Sequence, residues 1–515
     1  MSFIRAILTV SSLTIVSRMT GFVRDTLAAN FIGAGPIADA FFVALRLPNL
    51  FRSLFAEGAF SAAFVPLYAK AKKEKGEEGA KHFSAEALAV LLAVLIPFVI
   101  LVVLFMPAAM LVLAPGFNQK PEMFELAVTY GRITFPYLML VSVVALLTGV
   151  LNSNNRFAPG AAAPIAFNLM MIAALLLSWV VHGEPGLYMA YAVTLSGIVQ
   201  WAWLQTHARK MGVAPDFVRP RLTPAVKELF TRVGPGALGA GATQINIAVS
   251  TVLASLLPTG SVSWLFYADR LNQLPLGIIG IAVATTLLPV LSSRVQAEDE
   301  TGKRHYTTRA VEFSVILGLP ATIGLMLSSW PIIHVLFEHG AFTRHDTHQT
   351  ALALMAYGVG LLPFILIKVL SALFFAHHDT KTPVRIAIIS VALNIVLALV
   401  LLRFMGHMGI ALATSFASWA NFLMLLYFAR KKERLTLNPA CWPRLMKTGL
   451  AALVMALFLG LVHGEVKTLL LENSKTMDIL ILTLYLSAAV ALYGGMLLVT
   501  KALSIKEVST WLKKS

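Results

Sequence analysis

The sequence predicts an all-α polytopic membrane protein of about fourteen transmembrane helices, on three observations. Of 515 residues, 58% are hydrophobic and only 13% charged, whereas soluble domains run at about 45–50% apolar and about 25% charged. The mean hydropathy is +0.78. The apolar residues also gather into runs near the ~20 needed to cross a hydrocarbon core. A soluble chain of this length would split into domains with polar surfaces, which this composition cannot cover. A secreted enzyme, a disordered scaffold and a soluble multidomain chain are excluded. The single cysteine, Cys441, allows no intrachain disulfide and no cysteine-based metal site.

Reading apolar runs between polar breaks gives spans near 7–29, 37–68, 84–107, 126–151, 160–180, 186–206, 231–255, 263–292, 310–330, 348–375, 385–403, 408–429, 445–463 and 478–501. The first is a retained helix rather than a cleaved signal, because Arg18 and Arg24 interrupt it and no small-residue cleavage site follows. The second carries several charges, and Pro48 is expected to kink it. The eighth carries Asp269 and Arg270. These three are the least clean of the fourteen.

Charge sets the orientation. The net charge is +16, with 41 Lys+Arg against 25 Asp+Glu. In a soluble protein that excess would point to nucleic acid. In a membrane protein, basic residues collect in cytoplasmic loops, and no nucleic-acid partner is expected. With the N-terminus inside, 29 loop and tail Lys/Arg fall on one side and 5 on the other. Both termini are therefore expected in the cytoplasm, with an even number of spans.

A weak internal repeat orders the spans. Phe64-Val65-Pro66-Leu67 resembles Leu287-Leu288-Pro289-Val290 at an offset of 223, and Phe41-Phe42-Val43-Ala44 then faces Trp264-Leu265-Phe266-Tyr267. At an offset of 226–227, Phe135-Pro136-Tyr137-Leu138 parallels Leu362-Pro363-Phe364-Ile365, and Phe167-Asn168 parallels Leu393-Asn394. Chance similarity between apolar helices is the competing explanation. The repeat implies two six-helix lobes, 1–225 and 226–435, with pseudo-two-fold symmetry about the membrane normal. Residues 436–515 add two C-terminal helices and a tail.

Ionised groups at the bilayer centre cost about 2.5–3.5 kcal/mol on insertion scales, so they normally face a cavity or one another. The spans hold Arg18, Arg24, Asp25, Asp39, Arg46, Arg52, Glu57, Arg132, Asp269, Arg270 and Lys368. Arg24, Asp25, Asp39 and Arg132 lie near span ends, where snorkelling to the interface competes with a cavity. Arg18 lies mid-span, and Lys368 sits in the apolar run 361–375. On a helical period Asp39 shares a face with Arg46, and Arg18 with Asp25. Guanidinium groups grip phosphate oxygens bidentately and stay charged when buried. A cationic cavity between two lobes therefore suits a phosphate or diphosphate headgroup. No P-loop, HExxH or dinucleotide fingerprint is present. His377-His378-Asp379 reads as a solvated turn before Thr382-Pro383 rather than as a metal site, and no metal or cofactor is expected.

Several stretches resemble the MurJ (MviN) lipid II flippases of the MOP exporter superfamily. They are Ser17-Arg18 with Gly21-Phe22-Val23-Arg24-Asp25, then Asp39-Ala40-Phe41-Phe42-Val43-Ala44, Leu47-Pro48-Asn49, Arg52, Phe55-Ala56-Glu57-Gly58-Ala59-Phe60-Ser61 and Phe64-Val65-Pro66. Gly260-Ser261-Val262-Ser263-Trp264, Tyr267-Ala268-Asp269-Arg270-Leu271 and Asp379-Thr380-Lys381-Thr382-Pro383 continue the likeness over essentially the whole chain. The resemblance implies an alternating-access flippase, not an enzyme, carrying lipid II from the cytoplasmic to the periplasmic leaflet of the bacterial inner membrane. It makes Arg18, Arg24, Arg52 and Arg270 the expected substrate-binding residues. Asp25, Asp39, Asn49, Glu57, Asp269 and Lys368 become cavity or gating residues, and the last two spans a groove for the lipid tail. Membrane lipids and the cell-wall synthesis machinery are the expected partners. The sequence departs from the family pattern at Gln273, where enterobacterial members carry Glu, and at Ser53, where a second arginine can follow Arg52. Span 7 has no acidic residue to mark a sodium site, so the coupling ion stays open, with membrane potential as one source of drive. A flippase for another lipid-linked oligosaccharide and a MATE-like drug or metabolite antiporter are the alternatives.

Overall fold

The structure, a computed structural model, describes residues 3–55, 59–472 and 474–504. Among them the regular elements are all helical. They are α1 (Phe3–Ile32), α2 (Pro36–Phe55), α3 (Ala59–Leu104), α4 (Met106–Leu113), α5 (Pro121–Thr134), α6 (Tyr137–Ser153), α7 (Ala158–Val180), α8 (Pro185–Lys210) and α9 (Pro224–Ser255). There follow α10 (Ser261–Pro275), α11 (Ile281–Gln296), α12 (Glu300–Leu327), α13 (Ser329–Phe337), α14 (Arg344–Ala376), α15 (Lys381–Lys431), α16 (Cys441–Glu472) and α17 (Lys475–Val499). A 3-10 turn, Pro115–Gln119, leads into α5, and a π turn, Leu276–Gly280, joins α10 to α11.

Among the described residues the apolar runs read as spans are mainly helical, and nine helices are long and apolar enough to cross a membrane. One of these is long enough for two crossings. α15 has 51 residues, roughly 75 Å of helix against a core of about 30 Å. Gly406 breaks it at φ 55°, ψ −135°, and Gly76 breaks α3 in the same way at φ 70°. Only glycine enters this region freely. The remaining expected spans, in α1, α2 with the start of α3, α9, and α10–α11, are mostly those that carry charge.

The chain packs as two compact units, Met1–Ser263 with His339–Phe342, and Trp264–Glu338 with Thr343–Ser515. In the first, α1 lies on α7, α7 on α8, α2 on α5 and α3 on α6. α9 packs on α2 and α3, and the division by packing falls after Ser263. In the second, α14 packs on α12 and α15, α11 on α12 and α14, and α16 on α12 and α17.

In lipid, neighbouring helices are not pressed together by the hydrophobic effect, so small residues and interhelical hydrogen bonds decide their contacts. Gly360 of α14 comes so close to α15 that an added Cβ would lie 2.7 Å from Ser415 Oγ. Ser415 Oγ donates to Ala356 O at 2.6 Å. Prolines are handled by the same means. A proline inside a helix leaves the carbonyl four residues earlier without its donor, and neighbouring side chains can replace that donor. Pro320 frees Ile316 O in α12, and Tyr493 Oη from α17 donates to it at 2.8 Å. Pro363 frees Val359 O in α14, and Trp419 Nε1 from α15 donates to it at 2.9 Å. At Phe135-Pro136, by contrast, the expected fourth span divides into α5 and α6, and Thr194 Oγ1 donates to Ile133 O.

Candidate functional site

In the first unit the predicted cations lie on α1 and α2. Arg18 is exposed on α1. One turn and a half later, Arg24 and Asp25 form an ion pair at 2.6 Å with side chains 13% and 9% exposed. Adjacent helix residues do not ordinarily face each other. Arg24 reaches Asp25 by folding back, so that Nε and one terminal nitrogen both donate to Asp25 Oδ1, at 2.9 and 2.6 Å. Its other terminal nitrogen donates to Asn168 Oδ1 on α7 at 3.0 Å. The guanidinium carbon stands 5.6 Å from the centre of the Phe167 ring, within cation–π range.

On α2, Arg52 Nε donates to Asn49 Oδ1 at 3.2 Å, one turn earlier. Both are half-buried. Phe51 between them packs edge-on against Phe98 and Phe135, which fixes that turn of α2 on α3 and on the α5–α6 junction. Glu57 lies outside the described residues.

Asp39 stands apart from these cations. It is 1% exposed. Its carboxylate accepts from Gly260 N at 2.7 Å, Ser263 N at 2.9 Å and Ser263 Oγ at 2.6 Å. Those groups open α10, where unsatisfied N–H groups favour an anion. The structure thus makes Asp39 a capping acceptor inside the packing of the first unit.

In the second unit, Arg270 lies half-buried with its guanidinium carbon 4.7 Å from the Phe266 ring centre. Asp269 accepts a hydrogen bond from Gln273 Nε2, so Gln273, the departure from the family pattern, supports an acidic residue where a glutamate would repel it. Lys368 is exposed on α14. Its Cγ would lie 3.6 Å from a Cβ placed on Gly280, the last residue of the π turn. Such turns recur at functional sites.

Two further polar clusters lie at helix ends. Asp379 precedes α15 and caps it through Thr382 N at 3.0 Å and Thr382 Oγ1 at 2.8 Å. It also pairs with Lys432 and Arg434, both at 2.7 Å, just past the end of the same helix. Burial works to raise its pKa, but hydrogen bonds from Lys432, Thr382 and Arg434 prevail and hold the carboxyl well below the usual range. The His377-His378-Asp379 motif is therefore a turn with an acidic clasp. On α13, His334 Nδ1 lies 2.8 Å from Glu338 Oε2, and Nε2 lies 3.9 Å from Asp478 of α17. Burial opposes charge on His334, while Glu338 and Asp478 raise its pKa above the ordinary histidine value. Burial also works to raise Glu338, which His334, Thr347 and Arg344 together hold below its ordinary value. Among the described residues no group of three or more His, Cys, Asp or Glu is placed to hold a metal ion.

One residue of the Arg24 cluster was read from the sequence only as a landmark of the repeat. Asn168 carries no charge, and the signal that could have singled it out is a lone amide in an otherwise apolar span.

The helical packing, with nine helices long and apolar enough to cross a membrane among the described residues, is that of a polytopic membrane protein, and known structures share the fold. A multidrug-resistance MATE family transporter of the MOP superfamily, in its inward-facing conformation, aligns with a TM-score of 0.70 over 82% of this chain and 97% of its own, at 14% identity. At that identity the likeness is one of fold. A lipid II flippase MurJ in an inward closed conformation aligns with a TM-score of 0.77 at 28% identity, over 95% of this chain and 98% of its own. Residues 28–492 match the family model for lipid II flippase MurJ. Among curated relatives, a "Probable lipid II flippase MurJ" of Rhizobium meliloti is 43% identical over 82% of this chain and 80% of its own. The lipid II flippase MurJ of Burkholderia cenocepacia is 35% identical over 90% of each. The chain belongs to the lipid II flippase MurJ family.

Proposed function

We propose that this chain moves lipid II from the cytoplasmic to the periplasmic leaflet of a bacterial inner membrane, with both of its termini in the cytoplasm. The observation that carries the reading is the family match across residues 28–492. The chemistry of the cations agrees with that cargo. Arg24 holds its guanidinium oriented inside the helical packing, and a guanidinium is the side chain best matched to phosphate oxygens. Arg18, Arg24, Arg52 and Arg270 are each proposed as contacts for the diphosphate and sugar-peptide headgroup, presented to the two membrane faces in turn. Asp25 competes with the diphosphate for Arg24, which gives the bound anion a route to release. Asn49 orients Arg52. Asp269, Lys368 and Glu57 are proposed as supporting or gating charges. Membrane potential acts on a cationic carrier with about 2.3 kcal/mol per charge per 100 mV, and it is the proposed bias on the return of the empty form.

The test is depletion and rescue in cells. The resident flippase is depleted, and lipid-linked precursor is followed by its accessibility to an externally added hydrolase. Rescue is attempted with this chain and with its Arg18→Ala, Arg24→Ala, Arg52→Ala and Arg270→Ala variants, each verified in the membrane. The wild-type chain should restore accessibility and the arginine variants should not. If the wild-type chain is present and precursor stays inaccessible, the proposed cargo is wrong. If the variants restore it fully, the cargo stands and the arginine assignment fails.

A further inference from the structure

We infer that Asn168 is a positioning residue that presents the Arg24 guanidinium to the anionic headgroup. The inference rests on the flippase reading and deepens it. Asn168 sits on α7, 6% exposed, where α7 packs on α1. Its amide has one acceptor and one donor end, and both are assigned by chemistry. Nδ2 donates to the backbone carbonyl of Ser17 at 2.9 Å and to Thr20 Oγ1 at 3.2 Å. A carbonyl can only accept, so the NH2 group must face it. The oxygen is thereby turned toward Arg24, whose guanidinium can only donate, and receives its N–H at 3.0 Å. The Ser17 carbonyl of α1 thus sets the amide, and the amide sets the arginine seven residues farther along the same helix. Gly21 makes room between the two, since a Cβ there would lie 3.3 Å from Asn168 Nδ2.

The result is an arginine held on three sides. Of the five guanidinium N–H groups, two are directed at Asp25 and one at Asn168, while Phe167 lies against the ring-facing side. One N–H remains on each terminal nitrogen, as many as a contact to two phosphate oxygens requires. Without the Asn168 contact, Arg24 keeps, among the described residues, its own neighbour Asp25 as its hydrogen-bonding partner. Its guanidinium would then collapse onto that carboxylate, the competitor of the substrate. The arrangement is particular to the first copy of the repeat. The counterpart of Asn168 is Asn394, and the stretch matching Arg24 on α9, Ile247 to Thr251, contains no charged residue. A polar residue serving helix packing alone would have no need of the cation.

The experiment is a double-mutant cycle on the full chain in lipid nanodiscs, titrated with purified lipid II. Thermal unfolding of each variant is measured alongside. Asn168→Ala should weaken binding about three- to tenfold. Arg24→Ala should weaken it by at least as much, and the double variant should be no weaker than Arg24→Ala. Asn168→Asp, which keeps an acceptor for Arg24 but sets a carboxylate oxygen against Ser17 O, should also weaken binding. If Asn168→Ala does not yield folded protein, Gly21→Ala, whose Cβ would press on the amide nitrogen, takes its place in the cycle. Equal fold-losses from the Asn168 substitution with and without Arg24, or an unchanged affinity in Asn168→Ala, would overturn the inference. Normal binding by Arg24→Ala would overturn it too and leave the flippase reading to the other arginines. Failure of the wild-type chain to bind lipid II would overturn both.

Discussion

Replacing Asp39 with asparagine measures how firmly the start of α10 is held. The carboxylate is 1% exposed and accepts three hydrogen bonds, from Gly260 N, Ser263 N and Ser263 Oγ, at 2.7, 2.9 and 2.6 Å. Asparagine offers one acceptor oxygen, and its NH2 group cannot accept. If the oxygen stays with Ser263, the NH2 is set against the Gly260 N–H, donor facing donor. A hydrogen bond to a charged group contributes about 1.5–3 kcal/mol, and an anion at a helix N-terminus adds about 0.3–1 kcal/mol. One charge-assisted bond is lost and two are weakened, so Asp39→Asn should destabilise the protein by about 2–4 kcal/mol. Ser263→Ala removes only the hydroxyl bond and should cost about 1–2 kcal/mol. The double variant should fall short of the sum by about 1 kcal/mol, because the shared bond can be lost only once. The assay is denaturant unfolding of the full chain in a fixed detergent, followed by tryptophan fluorescence. A loss under about 0.5 kcal/mol for Asp39→Asn, or strict additivity in the cycle, would refute the capping role.

Other consequences are equally specific. Tyr493→Phe leaves Ile316 O buried without its donor and should cost about 1–3 kcal/mol, but far less in a Pro320→Ala background, where the new backbone N–H restores the helical bond; equal losses in both would count against the pairing. His334 is raised, so its contribution is complete below about pH 6.5 and lost as pH rises through the raised value. Glu338 is lowered, so its contribution is present above about pH 4.5 and lost as pH falls through the lowered value. With Asp478, Arg344, and Lys467 over Trp330 as the surrounding charges, hydrogen-exchange protection of α13 and the start of α17 should exceed that of His334→Gln at pH 6. The difference should shrink by about pH 8.5, and parallel pH profiles would contradict this. Asp379→Asn should loosen residues 377–382 and 432–435 to exchange by about 1–2 kcal/mol. This should hold uniformly from about pH 5 to 8, because the lowered carboxyl stays ionised throughout that range.

Much of the fold was legible because lipid imposes a length and a composition on whatever crosses it. The runs are helical where the apolar residues said they would be. Arg18, Arg24, Asp39, Arg52 and Arg270 lie on α1, α2 and α10, which are not among the nine helices long and apolar enough to cross a membrane. Helical period was less informative. Arg18 and Asp25 are seven residues apart and share a face, yet Arg18 is exposed and Asp25 buried, because a period gives a direction and not what stands there. Proline was ambiguous for the same reason. Phe135-Pro136 divides a span and Leu362-Pro363 does not, and the sequence contains no local sign that Trp419 would reach Val359 O. α2 stays helical through Pro48. Asp39 was legible as a buried carboxylate but not as a cap, since its partners lie more than two hundred residues away. Asn168 was invisible as a contact to Arg24 because that role arises only where α7 packs on α1.

The clasp at Asp379 has a bearing on how the chain is threaded through the bilayer. Lys432 and Arg434 both reach the residue from which α15 departs. The glycine at 406 divides the excursion into residues 381–405 and 407–431, 25 each, about 37 Å of helix apiece and enough for a single traverse. A path that returns to within a hydrogen bond of its origin after two equal arms has changed sides twice. Whatever lies upstream of 379 and downstream of 432, those two points share one compartment. The loop is a fixed point of parity, and it makes no appeal to the lysines and arginines of the connecting segments. Reporter tags placed beside His378 and beside Glu433 must therefore be reached by the same impermeant reagent, added from the same side.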